Sequence, residues 1–132
     1  MRAILLVAAC AALISEPAVA QTKVDEAPAF EASPLIRPGS YAIQGTATDG
    51  ASYEGALDLE KTGPQTWRIV WSIAGDVTIG VGLSVGGRLV CGYQEDGQVG
   101  AGFYEPGAYG RLIGRWTQGA QGGVGSEILL RR

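Results

Sequence analysis

Of the 132 residues, 46% are hydrophobic and 17% charged, with a formal net charge of −3, which describes one soluble domain and leaves too few residues for two. The chain contains neither histidine nor asparagine, so a serine–histidine triad, a cysteine–histidine dyad, a histidine-based metal centre and a glycosylation sequon are excluded. The mildly acidic balance carries no electrostatic footprint for nucleic acid.

Arg2 precedes an apolar run from Ile4 to Ile14, Pro17 breaks it, and Ala18-Val19-Ala20 supplies the small-x-small pattern that a signal peptidase reads. The run is about a dozen residues, short of the roughly 20 a helix needs to cross a bilayer, so residues 1–20 read as a signal peptide. Val7-Ala8-Ala9-Cys10 has the form of a lipoprotein box, but the apolar run continues beyond it as Ala11-Ala12-Leu13-Ile14, where a lipidated cysteine is followed by a polar tether. Cleavage before Gln21 is expected, with the mature chain periplasmic or secreted. Cys91 then has no partner for an internal disulfide. Lying in Leu89-Val90-Cys91-Gly92-Tyr93 with no histidine to activate it, it reads as a buried, inert thiol.

Residues 21–38 hold Pro28, Pro34 and Pro38 among scattered acids and alanines. Proline lacks a backbone donor and extends the residue before it, so a flexible leader is expected there, solvated by default, with Phe30, Leu35 and Ile36 as groups able to dock. From Gly39 the hydrophobic period is two, not 3.6. Reversals at Asp49-Gly50, Gly63-Pro64, Gly75-Asp76, Gly86-Gly87, Asp96-Gly97, Pro106-Gly107 and Gly119–Gly123 cut residues 39–132 into eight strands, near 40–46, 53–60, 66–73, 77–84, 88–93, 98–104, 109–117 and 124–130.

Assigning the apolar parity of each strand to one face predicts a buried set. It runs Tyr41, Ile43, Tyr53, Leu57, Leu59, Trp67, Ile69, Trp71 and Ile73, then Val77, Ile79, Val81 and Leu83, then Leu89, Cys91 and Tyr93. Val99, Ala101, Phe103, Leu112, Trp116, Val124, Ile128 and Leu130 complete it. The wet face is expected to hold Glu54, Asp58, Glu60, Arg68, Ser72, Thr78, Ser84, Arg115 and Glu127, together with Gly80, Gly82, Gly100 and Gly102. Closing such a sheet hides its apolar face and both edges, and short turns join every neighbouring pair. The predicted fold is therefore all-β, an eight-stranded antiparallel up-and-down barrel, preferred over a two-sheet sandwich. A membrane barrel would need longer strands and an apolar outer band, so a membrane-spanning role is not expected.

Gly39-Ser40-Tyr41, Asp49-Gly50 followed by Tyr53-x-Gly55, and Gly114-Arg115-Trp116 leading to Gly125-Ser126-Glu127 resemble a group of small exported bacterial β-barrel proteins of unsettled activity, sometimes labelled fibronectin-binding. The outline is similar to avidin-like and other calycin barrels. The resemblance spans nearly all of 39–132 and implies the barrel. Tyr41 stands where lipocalins and avidins carry the tryptophan of Gly-x-Trp, and biotin binding is not carried over.

Three groups of residues invite a chemical reading. Glu54, Asp58 and Glu60 share one strand face, where a solvated row paired with Arg68 outweighs acid–base work or cation binding. Asp49 and Asp96 precede glycine as a type I′ turn demands. Trp67, Trp71 and Trp116 share the inward parity with Tyr41, Tyr53 and Tyr93, and these large residues predict a packed interior with room for at most one small ligand. If a ligand binds, the turns after the first, third, fifth and seventh strands form the more polar rim, and Trp71, Trp116, Gln118 and Gln121 are its candidate contacts. No catalytic residue, metal or cofactor is predicted. The expected function is a non-enzymatic exported binding module for a small apolar molecule or an envelope or extracellular protein. A protease inhibitor using the 21–38 leader and a ligand-free envelope protein are the alternatives. Mass spectrometry of the exported product should find a chain beginning at Gln21; an acylated species beginning at Cys10 would contradict it.

Overall fold

The computed structural model describes residues 36–132, in which turn chemistry sets the strand boundaries. The strands are β1 (Gly39–Thr46), β2 (Ser52–Lys61), β3 (Thr66–Ile73), β4 (Asp76–Val85), β5 (Arg88–Glu95), β6 (Gln98–Pro106), β7 (Leu112–Gln118) and β8 (Gly125–Arg131). Each pairs antiparallel with its neighbour in sequence, and β8 returns to β1 to close an eight-stranded up-and-down barrel. The proposed signal peptide and lipoprotein box, and the leader as far as residue 35, lie outside the described residues.

Ala74-Gly75, Gly86-Gly87 and Asp96-Gly97 are two-residue turns with both φ angles positive. That is the type I′ geometry, whose twist suits the flanking strands. The first turn departs from the type I′ expectation. Only Gly50 is left-handed there, and Asp49 instead accepts the Ala51 amide at 2.9 Å through its carboxylate. Residues 109–111, expected in the seventh strand, belong to a loop with a 3₁₀ turn at Ala108–Gly110, because the Gly107 amide donates to the Arg111 carbonyl at 2.8 Å and closes the chain below the Pro106–Leu112 pair.

The expected faces hold for β1, β2, β3, β5 and β7 and are inverted in β4, β6 and β8. Val77, Ile79, Val81, Leu83, Val99 and Ile128 are exposed, as is Val124 in the last loop, and Ala101 and Phe103 also lie on the outward parity. Gly80, Gly82, Ser84, Gly100, Gly102, Tyr104, Gly125, Glu127 and Leu129 take the inward positions. Volume decides this. An eight-stranded barrel is only about wide enough for its own side chains, and the rings on β2, β3, β5, β6 and β7 occupy the space. Tyr53 lies opposite Gly45, Tyr93 opposite Gly100, Tyr104 opposite Gly114, and Trp116 opposite Gly125. A Cβ built on any of these glycines would sit within the facing ring, and one on Gly80 would lie 2.7 Å from the ring of Trp71.

At the end where β1 begins, the interior is filled by Trp67, Leu89, Leu112 and Ile36. Ile36 is buried, so the stretch expected to be solvated through Pro38 is anchored at that residue while Arg37 and Pro38 stay exposed, and the Tyr41 hydroxyl donates to the Arg37 carbonyl at 2.6 Å. Ser84, placed by parity on the wet face, is fully buried and accepts the Trp67 indole N–H at 2.8 Å. Cys91 is buried as expected, and burial pushes its thiol up to about 12. The outer surface is charged over β2 and β3, where Glu60 faces Arg68 at 3.9 Å, and apolar along β4. Gly125→Ala should destabilise the barrel by about 1–3 kcal/mol by displacing the Trp116 ring, while Val81→Thr on the outer face should change stability by less than about 0.5 kcal/mol. Urea denaturation of both variants checks the inversion; a larger loss from Val81→Thr would refute it.

Candidate functional site

Among the described residues, one carboxylate is buried in the interior of the barrel. Glu127 is inward on β8 at 4% exposure and accepts two phenols, Tyr53 at 2.7 Å on Oε1 and Tyr104 at 2.5 Å on Oε2. Each phenol oxygen in turn accepts an indole N–H at 2.9 Å, Tyr53 from Trp116 and Tyr104 from Trp71. An indole nitrogen can only donate, so each phenol must receive that proton and direct its own O–H at the carboxylate. The result is a two-armed chain converging on Glu127, with every proton's direction set by the tryptophans. Among the described residues the ion pairs are Arg68–Glu60 and Arg88–Glu105, and neither touches Glu127.

This arrangement shifts every titratable member upward. Burial raises the Glu127 carboxyl above its ordinary 4.5, and the two phenol donors offset only part of that. Burial and then the neighbouring Glu127 charge push Tyr53 and Tyr104 well above the usual phenol range. Tyr93, packed against Trp71 with ring centroids 5.3 Å apart, is raised by burial to about 12.

Above the chain of hydrogen bonds lies a cavity of about 340 Å³, open at the rim formed by the turns after β1, β3, β5 and β7. Its walls are Tyr53, Trp71, Tyr93 and Trp116 with Ile73; Glu127 borders it, and Asp76, Thr78, Glu95 and Gln118 stand nearer the rim. The space follows from the inverted faces. Gly45, Gly55, Gly80, Gly100 and Gly125 occupy inward positions around this mouth, whereas Ile79 and Val99 inside would have filled it. The packed interior expected from sequence is therefore found at one end and not at the other. A second hollow of about 300 Å³ lies at the opposite end, bordered by Arg37, Tyr109, Arg111 and Arg131.

Of the candidate contacts read from sequence, the structure brings Trp71, Trp116 and Gln118 together on the cavity wall. Gln121 does not join them; it is exposed in the loop between β7 and β8, beyond the lining. Gln118 reaches Gln98 at 3.3 Å. Sequence reasoning missed Glu127 and Tyr104, the first because it was assigned to the wet face. The available signal was Gly125-Ser126-Glu127-Ile128-Leu129, where Glu127 shares parity with a glycine and a leucine.

The raised Glu127 carboxyl fixes the sign of a pH effect. A folded pKa above the unfolded one means that the folded state holds the proton more tightly, so the contribution is complete below the unfolded value and is lost as pH rises through the folded one. The stability advantage of the wild type over Glu127→Gln should therefore shrink as pH increases above 4.5. Chemical denaturation across a pH series measures this, and a widening advantage would show that the carboxyl is not raised.

No family model and no curated protein matches the chain. Among solved structures it is similar to a redesigned β-barrel, mFAP1, bound to DFHBI, with a TM-score of 0.63 and 18% identity over 76% of this chain and 99% of that one. It is also similar to a de novo designed fluorescence-activating β-barrel, with a TM-score of 0.55 and 18% identity over 77% of this chain and 98% of the other. At such identity the likeness shows the fold: an eight-stranded barrel whose geometry this chain reaches with its own interior.

Proposed function

We propose that the chain is an exported, non-enzymatic binding module that takes a small ligand with an apolar body into the open mouth of the barrel. The observation that carries this reading is the 340 Å³ cavity walled by aromatic rings at one end of the barrel, whereas the hollow at the other end is bordered by arginines and backbone. Ligand sites are typically concave and mostly apolar, with a few fixed polar groups, and here those groups are Thr78, Gln118 and the carboxylates. The rings are also rigid before any ligand arrives, because the indole and phenol groups of Trp71, Trp116 and Tyr53 hold each other through Tyr104 and Glu127. Preorganised walls lose little side-chain entropy on binding. That mFAP1, a barrel of the same fold, is bound to DFHBI supports the reading in general terms.

Export rests on the signal pattern of residues 1–20 and on the resemblance to small exported barrels. The non-enzymatic assignment rests on a sequence without histidine, and so without the usual base for a serine or cysteine nucleophile.

Benzyl alcohol, a neutral probe small enough for the mouth, tests the site. It should change tryptophan fluorescence and shift the amide resonances of Gly100 and Gly125. Trp116→Phe should weaken its binding at least several-fold while lowering thermal stability only modestly. Shifts confined to Tyr109 and Arg111, at the opposite end, would refute the placement.

A further inference from the structure

The chemical class of the ligand follows from what the cavity offers, and this step rests on the binding reading above. We infer that the open mouth of the barrel binds a small organic cation of the quaternary ammonium class, seated among the rings of Tyr53, Trp71, Tyr93 and Trp116 with the Glu127 carboxylate bordering the same cavity.

Three features of the site support this choice. The first is what the walls lack. The indole N–H groups of Trp71 and Trp116 and the hydroxyl of Tyr53 are committed to the chain that ends on Glu127. The wall therefore presents π-surface and few free donors, so an anion entering it would lose its hydration with little in return. A quaternary ammonium needs no hydrogen bonds and is attracted to the negative faces of aromatic rings.

The second feature is charge. Glu127, Asp76 and Glu95 border the cavity, and no lysine or arginine does. Glu127 has no cationic partner among the ion pairs of the described residues. A cation in the mouth would supply the opposite charge that this buried carboxylate lacks.

The third feature is the polarity of the whole barrel. The turns at the open rim and the strand ends beside them carry Asp49, Asp76, Glu95 and Asp96 without a single basic residue. The basic residues Arg37, Lys61, Arg88, Arg111 and Arg131 gather at the opposite end, where they are mixed with Glu60 and Glu105. One-signed charge around a cleft with low-dielectric walls draws in the opposite ion and raises its association rate.

The test compares choline with 3,3-dimethylbutan-1-ol, in which a carbon replaces the charged nitrogen at nearly the same shape. Both are titrated into the purified protein and followed by tryptophan fluorescence and by the amide signals of Gly100 and Gly125. Choline should bind at least about tenfold more tightly than the alcohol, and the preference should fall as salt shortens the Debye length from about 30 Å to about 3 Å. Glu127→Gln should reduce choline affinity and leave that of the alcohol within about twofold. Because Glu127→Gln also disturbs the interior, the rim variant Asp76→Asn/Glu95→Gln serves as a second reading: it should retain the wild-type melting temperature and still lose several-fold in choline affinity. Equal affinity for choline and the alcohol would overturn the cation inference while leaving the binding reading in place. If neither perturbs the mouth signals the inference also fails, and the benzyl alcohol titration then decides the binding reading separately.

Discussion

The structure depends on pairing each large inward ring with a missing side chain on the next strand. An eight-stranded barrel has a narrow interior, and this chain places five tryptophan and tyrosine rings along it besides Trp67 and Tyr41. Those rings fit because Gly45, Gly80, Gly100, Gly114 and Gly125 give up the space that a Cβ would take. Packing a ring across a cross-strand glycine also covers backbone that would otherwise be poorly packed, and it pins the register of both strands. The high glycine content is thus a property of the interior as much as of the turns.

Filling a barrel with tryptophan and tyrosine brings polar tips into a low-dielectric space, where an unmade hydrogen bond costs about 1–3 kcal/mol. The chain meets this with Glu127 and, at the other end, with Ser84 beneath Trp67. The two solutions differ in kind. Ser84 satisfies a single donor with a neutral group. Glu127 gathers four donors through two phenols and brings a titratable charge to the centre of the fold, so the network that orders the rings also makes stability depend on pH.

The strands and most of the turns were legible because glycine- and aspartate-rich reversals and a period of two are local signals. The inward face was harder, because it depends on how turns transmit parity. With a two-residue turn at Ala74-Gly75, Ile73 pairs with Asp76, so Thr78, Gly80 and Gly82 follow inward. Reading that turn one residue late, at Gly75-Asp76, slides the register by two and still leaves the even-numbered residues inward, so in β4 it was the rule that apolar residues go inside that turned the face over. At β6 the correctly read Asp96-Gly97 turn already implied the answer, since Glu95 pairs with Gln98 and Gly100 and Gly102 then face in. The rule that apolar residues go inside prevailed there over turn geometry, and in a barrel already crowded by rings that rule fails. For β8 the parity that Glu127 shares with Gly125 and Leu129 was the one local signal, and it was outweighed by Ile128 because residues 119–124 form a longer loop that does not transmit parity from β7. Glu127 therefore stayed on the wrong face. The rim, by contrast, was readable from the alternation of turns alone, and with it Trp71, Trp116 and Gln118, though not the exclusion of Gln121.

The same inversion that hid the site from sequence reasoning creates it. With β-branched side chains inside β4 and β6, both ends of the barrel would be filled, and Glu127 would be exchangeable for an apolar residue. Replacing a buried charge by well-packed apolar volume is frequently neutral or stabilising, so a barrel shaped for stability alone has no need of Glu127 at the mouth. This chain instead puts Val77, Ile79 and Val81 on the outside, where they favour the strand conformation without adding to the core. It leaves the mouth ringed by glycine and confines its bulk packing to the end closed by Ile36, Trp67 and Leu112. One end supplies the stability and the other keeps a rigid, acidic, aromatic space. A ligand that fills that space binds the folded chain alone and so raises its stability by mass action, restoring part of the burial that the glycines gave up.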